Sequence, residues 1–344
     1  MRRIFVAAIG LCAVLGLAAC SGPALPDSVA PTAAPPDPSG SSADAPTGPT
    51  TGPATLSPDP TLPGWAYPDD AGVDRVASVP APPASWWDAG LIVSDANFFD
   101  ADAMTAPEIQ AFLETQVPYC ETWHARTGRE TDSGWPYRCL KDRIWDVPHL
   151  DELGDDGWRY CEPVQARKQA TSAEVISIIA TACDINPQTL LITLEKEQGL
   201  VTDRWPWEVQ YAAATGYACY DSAPCLDAYA GFVGQVYHAA RTYQLYVQRP
   251  GLFNYQPYAA NEILYAPGCA AGTVVIQNAA TAALYDYTPY QPNADVLAGT
   301  VGAECSAYGN YNFWRLWFHW FGDPVADGPD QARVWPPVPL LQPR

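Results

Sequence analysis

The sequence predicts a mainly α domain of the α+β kind, with a small β-hairpin and a set of disulfide staples. Three observations predict it. Segments with apolar residues at helical spacing recur, two of them opened by a capping box. Only two short runs have the character of strands. Eight cysteines fall within one region, an even number that suits pairing in an exported chain.

The elements follow in order. Thr105-Ala106-Pro107-Glu108 is a capping box with proline in the first turn; it predicts a helix through Thr115 with Ile109, Phe112 and Leu113 inward. Residues 116–170 scatter cysteine, proline and glycine and read as irregular. Thr171-Ser172-Ala173-Glu174 is the second capping box, opening a helix through Ala182 on the stripe Val175, Ile178, Ile179 and Ala182. A longer helix is expected from Cys225 to Val247, with Phe232, Val236, Ala239, Ala240, Tyr243 and Val247 at helical spacing and Pro250-Gly251 as its stop. The runs Ile263-Leu264-Tyr265 and Thr273-Val274-Val275-Ile276, joined through Pro267 and Gly268, predict the hairpin. Asn278 caps a helix through Leu284. The last helix, Asn312 to Phe321, places Phe313, Trp314, Trp317 and Trp320 at helical spacing, which reads as core.

One further helix carries the chemistry. In Asn186-Pro187-Gln188-Thr189-Leu190-Leu191-Ile192-Thr193-Leu194-Glu195-Lys196-Glu197-Gln198-Gly199, Asn186 is a good N-cap, Pro187 suits the first turn and Gly199 suits a left-handed stop. At about 100° per residue, Leu190, Leu191 and Leu194 form one stripe, and Glu197 returns to it. Glu195 falls on the flank and Lys196 on the far side. A carboxyl held against an apolar surface is desolvated and stays protonated more readily, as a general acid requires.

The flanks set the address. Arg2 and Arg3 precede an apolar run, Ile4 to Leu17, that is shorter than the roughly 20 residues a membrane span needs. It ends in Leu17-Ala18-Ala19-Cys20-Ser21, which resembles the bacterial lipobox. That resemblance implies a signal peptide over residues 1–19 and an acylated Cys20 as the mature N-terminus. It places the protein on the outer face of the bacterial cytoplasmic membrane. Residues 20–85 are rich in Pro, Ala, Ser, Thr and Gly and read as a disordered linker. Fully extended it reaches on the order of 200 Å, far enough to carry a domain into the cell wall. The folded domain is expected over residues 86–323 and a Pro-rich tail over 324–344.

A net charge of −20 with no basic stretch excludes nucleic acid and argues against attraction to anionic wall polymers. Of ten cysteines, Cys12 lies in the signal and Cys20 is the lipid site. The other eight admit on the order of 100 pairings; a sequential scheme is expected, Cys120–Cys139, Cys161–Cys183, Cys219–Cys225 and Cys269–Cys305. No CxxC occurs, and His124, His149, His238 and His319 lack ligand spacing, so no metal and no cofactor is expected. Nucleophile-elbow, phosphate-loop and zincin motifs are absent from the sequence.

A helix that ends in a glutamate, a polar residue and glycine resembles the lysozyme-like superfamily, and within it the soluble lytic transglycosylases. There an Asn/Asp-Pro-x-x-Leu-Leu helix leads to Glu-Ser-Gly; here the word is Glu197-Gln198-Gly199. The transglycosylases' Gly-Leu-Met-Gln word does not follow the glutamate. The words from Leu194 to Thr202, from Ala282 to Tyr290 and Gly309-Asn310-Tyr311-Asn312-Phe313-Trp314 resemble a family of exported bacterial surface domains. The resemblance implies a lysozyme-like domain that cleaves the MurNAc–GlcNAc bond of peptidoglycan, with Glu197 as general acid and then base. Gln198, Trp205, Trp207, Tyr287, Tyr290, Gln291 and Asn293 are candidate glycan contacts, and Tyr287 or Tyr290 is a candidate partner of Glu197. A hydrolytic muramidase would need a second carboxylate, for which Asp203 and Glu208 are the nearest in sequence. A non-catalytic module that binds wall glycan or docks a protein is the other class.

Overall fold

The structure, a computed structural model, describes residues 79–120, 138–219 and 225–326, all within one compact unit. The signal segment, Cys20, the linker as far as residue 78, His124 and the tail from residue 327 lie outside the described residues.

Among the described residues the order is α1 (Asp95–Phe98), α2 (Ala106–Gln116), β1 (Ile144–Val147), β2 (Arg167–Thr171), α3 (Ser172–Cys183), α4 (Pro187–Gln198), α5 (Glu208–Ala212), α6 (Phe232–Gln248), β3 (Ala260–Leu264), β4 (Ala271–Val275), α7 (Ala279–Tyr287), α8 (Ala294–Leu297) and α9 (Gly309–Phe321). The class is mixed helix and strand, with two separate antiparallel pairs, β1–β2 and β3–β4. None of the described helices is long and apolar enough to cross a membrane.

Local chemistry sets these bounds. In the box before α2, Glu108 Oε2 accepts from the Thr105 N–H at 2.8 Å. In the box before α3, Thr171 Oγ1 accepts from Glu174 N at 3.2 Å and Glu174 Oε2 from Thr171 N at 2.8 Å. Asn278 caps α7, whose helix runs three residues past the expected Leu284 to Tyr287. α6 starts at Phe232 rather than Cys225, because Gly231 just before it has φ +103° and the preceding residues form turns. The β3–β4 hairpin falls where its two runs predicted, in register from Ala260↔Val275 to Leu264↔Ala271.

β1–β2 lies in the stretch read as irregular. It pairs Ile144↔Thr171 and Val147↔Arg167 with a bulge between, and Asp146 supports it by accepting from Gln169 N at 3.2 Å and from Lys168 Nζ at 2.7 Å. The folded unit also overruns its expected bounds. Val79 and Ala81 pack on the core, and the Val79 carbonyl accepts from Arg315. At the other end, the Pro324 carbonyl accepts from Ser94 N and Asn97 Nδ2.

All four cysteine pairs stand at disulfide distance in the sequential scheme: Cys120–Cys139, Cys161–Cys183, Cys219–Cys225 and Cys269–Cys305. The core lies where α4 meets α3, α6 and α9. Phe313, Trp314 and Trp317 of α9 are buried in it, as their spacing predicted, and Trp320 packs on Phe112 at 5.4 Å.

Candidate functional site

α4 begins and ends as its sequence dictates. Asn186 Oδ1 accepts from Gln188 N at 2.7 Å, and Gly199 closes the helix at φ +64°. Its middle differs from the expected amphipathic wheel. Residues 189–195 are buried on every side, because α3, α6 and α9 surround the helix. Glu195, expected on the flank, is 1% exposed. Its carboxylate accepts from Val201 N and Thr202 N, both at 3.0 Å, and from Thr202 Oγ1 at 2.6 Å, and so closes the turn after the helix. Lys196, expected on the far side, has a side chain only 5% exposed. Its ammonium pairs with Glu197, donates to Thr288 Oγ1 at 3.0 Å and stands 5.8 Å from the Tyr287 ring centroid. Glu197 is therefore not sunk into an apolar surface. Its side chain is 26% exposed, at the helix end, with a cation beside it.

The facing wall is residues 215–217. Gly216 has φ +72°, and a Cβ built there would lie 3.1 Å from Glu197 Oε2. Glycine thus serves both the left-handed backbone and the close approach of the carboxylate. Gln235 of α6, fully buried, holds this wall: its Oε1 accepts from Thr215 N and Tyr217 N, and its Nε2 donates to Tyr217 O at 2.8 Å. The Tyr287 hydroxyl donates to Thr215 O at 2.6 Å, and its ring stacks on Tyr243 at 4.8 Å. Burial pushes both phenols well above their ordinary range, and the nearby Glu197 charge adds in the same direction. Thr288 is set by Asn310, whose Nδ2 donates to Thr288 O at 2.8 Å and to Tyr290 O at 3.1 Å.

Glu197, Lys196, Gly216, Thr288 and the Tyr243–Tyr287 pair thus form one cluster built from α4, α6, α7 and the 215–217 wall. No known protein family, curated protein or solved structure matches the chain.

The other sequence candidates are placed as follows. Gln198 is half-buried beside Glu197, and its carbonyl accepts from Gln210 Nε2 at 2.7 Å. Trp205 is buried, so its ring faces protein and not a groove. Trp207 is half-buried at the start of α5, its N–H donating to Gln210 Oε1. Tyr290 is half-buried three residues after the end of α7, where the Leu264 backbone bridges to it. Gln291 ties the hairpin down, Nε2 donating to Ile263 O at 2.8 Å and Gly272 O at 2.9 Å. Asn293 caps α8 through Val296 N and donates to Cys305 O. Those bonds commit Gln291 and Asn293 to holding backbone.

Both nearby acids are engaged. Asp203 accepts from Trp205 N at 2.8 Å and Gln210 Nε2 at 3.1 Å. Glu208 makes a forked pair with Arg143 at 2.6 and 2.9 Å, and the guanidinium lies over Trp145 and Tyr211. A different acid stands closer to the cluster along the chain. Asp286, half-buried on α7 next to Tyr287, accepts from Tyr255 N at 3.1 Å, and burial pushes its carboxyl up to about 7. Sequence reading missed Lys196, Gly216, Gln235, Tyr243 and Asp286. None of these roles had a signal in the sequence, because each needed the fold to bring the residue to Glu197. Among the described residues, Cys120, Cys139 and Asp142 come within metal-ligand reach of one another, but the two sulfurs are joined to each other and do not form a ligand set.

Proposed function

We propose that the chain is a lipid-anchored cell-wall protein whose lysozyme-like domain cleaves the MurNAc–GlcNAc bond of peptidoglycan as a lytic transglycosylase, with Glu197 as general acid and base. The observation that carries this reading is the placement of Glu197. Its carboxyl is part-exposed at the end of a buried helix, faces a glycine that leaves it room, and is backed by two stacked tyrosines. A rigid mount of that kind fixes one carboxyl relative to a bound strand.

In the first step protonated Glu197 gives its proton to the glycosidic oxygen as positive charge develops on the sugar. In the second, the Glu197 carboxylate takes the proton of the substrate's own C6 hydroxyl, which closes the 1,6-anhydro ring. Lys196 suits the second of these steps, in which Glu197 is a carboxylate. Its ammonium contacts Glu197 and donates to Thr288 Oγ1 at the same time. A hydrolytic muramidase needs a second carboxylate about 5 Å away for retention or about 6.5–9.5 Å for inversion. The bonds of Asp203 and Glu208 favour the mechanism that needs none.

The contact of Lys196 with Glu197 favours one rival, a domain that holds wall glycan without cutting it. Digestion of purified peptidoglycan separates the readings. Anhydro-muropeptides are expected from the wild type and none from Glu197→Gln. Reducing ends in their place would indicate hydrolysis, and equal product from both proteins would remove Glu197 from the mechanism.

A further inference from the structure

Asp156, on the stretch between β1 and β2, holds three groups at once. Its Oδ1 accepts from Trp158 N at 3.0 Å, and its Oδ2 accepts from the Tyr160 hydroxyl at 2.6 Å and from Arg249 Nε at 3.1 Å. Tyr160 is buried and precedes Cys161, whose disulfide ties the stretch to α3, so the carboxylate is mounted on the core. Gly154 leaves room for the mount: a Cβ there would lie 2.6 Å from Asp156 Oδ1 and 2.7 Å from the Tyr160 ring. Its N–H donates to Trp158 O at 2.7 Å and closes the turn. Arg249, just past the end of α6, lays its guanidinium 4.3 Å from the Trp158 ring centroid. The ring held in this way is 56% exposed, and Trp158 is the one exposed tryptophan among the described residues. An indole with both faces covered keeps only its edge in water. With one face under the guanidinium, an exposure this large leaves the other face open.

We propose that the open face of Trp158, with Asp156 and Arg249 at its edge, is a platform that binds one uncharged N-acetylated hexosamine ring of a glycan strand, at a site separate from the Glu197 cluster. The indole offers a flat apolar surface to the C–H face of a sugar. The part-exposed carboxylate accepts from sugar hydroxyls, and the part-exposed guanidinium donates to an acetamide or hydroxyl oxygen. Because the turn, Asp156 and Arg249 already fix the ring, little freedom is lost when a sugar settles on it. Charge and area exclude the rival occupants. Asp151, Glu152 and Asp155 crowd the same turn, with Arg159 paired to Asp151, so the surface repels anionic lipid headgroups. A single indole covers about 250 Å² at most, far less than the roughly 800 Å² each partner gives to a stable protein interface. The platform is also remote from the candidate active site. Gln235, which holds the 215–217 wall, and Arg249 mark opposite ends of α6, about 20 Å apart along its axis at about 1.5 Å per residue. It would therefore hold a long strand at a second point, and it does not depend on whether Glu197 cuts.

Two measurements on the full chain test the platform with the hexasaccharide of N-acetylglucosamine, using Glu197→Gln as the parent so that nothing is cleaved. In isothermal titration, Trp158→Ala added to that parent is expected to weaken binding by about tenfold or more, and Trp158→Phe, which keeps a smaller ring, by less. In the parent itself, oxidation of Trp158 by N-bromosuccinimide, mapped by mass spectrometry, should slow severalfold under saturating hexasaccharide. This second readout needs no substitution at the ring, so a folding defect does not mimic it. Parent-level affinity in Trp158→Ala, or an oxidation rate that the sugar leaves unchanged, overturns the platform, as does a parent that does not bind the hexasaccharide. Vesicles of phosphatidylglycerol that capture the parent and lose Trp158→Ala, with no sugar binding, would reassign the ring to a membrane surface and overturn it too. Wall digestion by the wild type judges Glu197 separately, so a protein that does not cut yet loses sugar with Trp158→Ala keeps the platform and discards the enzyme.

Discussion

A buried acid leaves its signature in the pH dependence of folding, and Asp286 gives a defined one. Its carboxyl rises from an ordinary aspartate's 3.8 to about 7 because burial disfavours the charge. Below about pH 4 it is protonated in both folded and unfolded chains and costs nothing. As pH rises toward 7 the unfolded chain ionises first, so stability falls; above 7 both states are ionised and the full cost remains. Allowing for the part of the side chain that meets water, the cost is on the order of 1–3 kcal/mol. Asp286→Asn should therefore raise the melting temperature at about pH 8 by roughly 5 °C and leave it nearly unchanged at about pH 4. A stabilisation of equal size at both values would show that charge burial is not the cause. Neither this acid nor the roles of Glu195 and Lys196 were legible in the sequence. A helical wheel assumes one wet side, and α4 has none along residues 189–195, so a carboxylate assigned to the flank became a buried turn clamp.

Elements were more legible than side chains because their ends are written in local chemistry. Thr105, Thr171, Asn186 and Asn278 mark helix starts within a residue, since each oxygen or its box partner meets a nearby N–H. β1–β2 was not legible: Arg167, Lys168 and Gln169 of β2 are all exposed, so no apolar alternation announces a strand whose pairing rests on Asp146 and a bulge. The 215–217 wall was equally silent, because the residue that organises it, Gln235, lies 18 residues beyond Tyr217 in the chain. That wall allows an element-level test of the site. Gly216→Ala sets a side chain on a backbone at φ +72° and puts its Cβ against Glu197 Oε2. The expected stability loss is about 1 kcal/mol. Wall-digesting activity should fall about tenfold or more, because a small displacement of the reacting carboxyl is costly. Turnover at saturating wall should carry the loss. An unchanged rate would place the productive position of Glu197 away from the wall.

At the scale of the whole molecule, the described fold joins short helices and two small hairpins through long connections, and the disulfides decide whether that arrangement holds. They close loops with sequence separations of 19, 22, 6 and 36 residues, each bridging segments that regular structure does not link. Cys161–Cys183 ties the 150–164 stretch to the end of α3, where Glu162 N also donates to Ala182 O at 2.7 Å. Cys269–Cys305 ties the hairpin to the loop that Asn293 holds. Each such closure is worth roughly 2–4 kcal/mol through the unfolded chain, and more for the longer loops. Together they reach about 10 kcal/mol, as large as the whole net stability of an ordinary domain, roughly 5–15 kcal/mol. Reduction should therefore unfold the domain at 37 °C, with loss of its near-ultraviolet tryptophan and tyrosine signal, while the oxidised chain stays folded under the same conditions. The mutual support of α3, α4, α6 and α9 is the competing source of stability, and a reduced chain that kept its aromatic signal would assign the fold to that core instead.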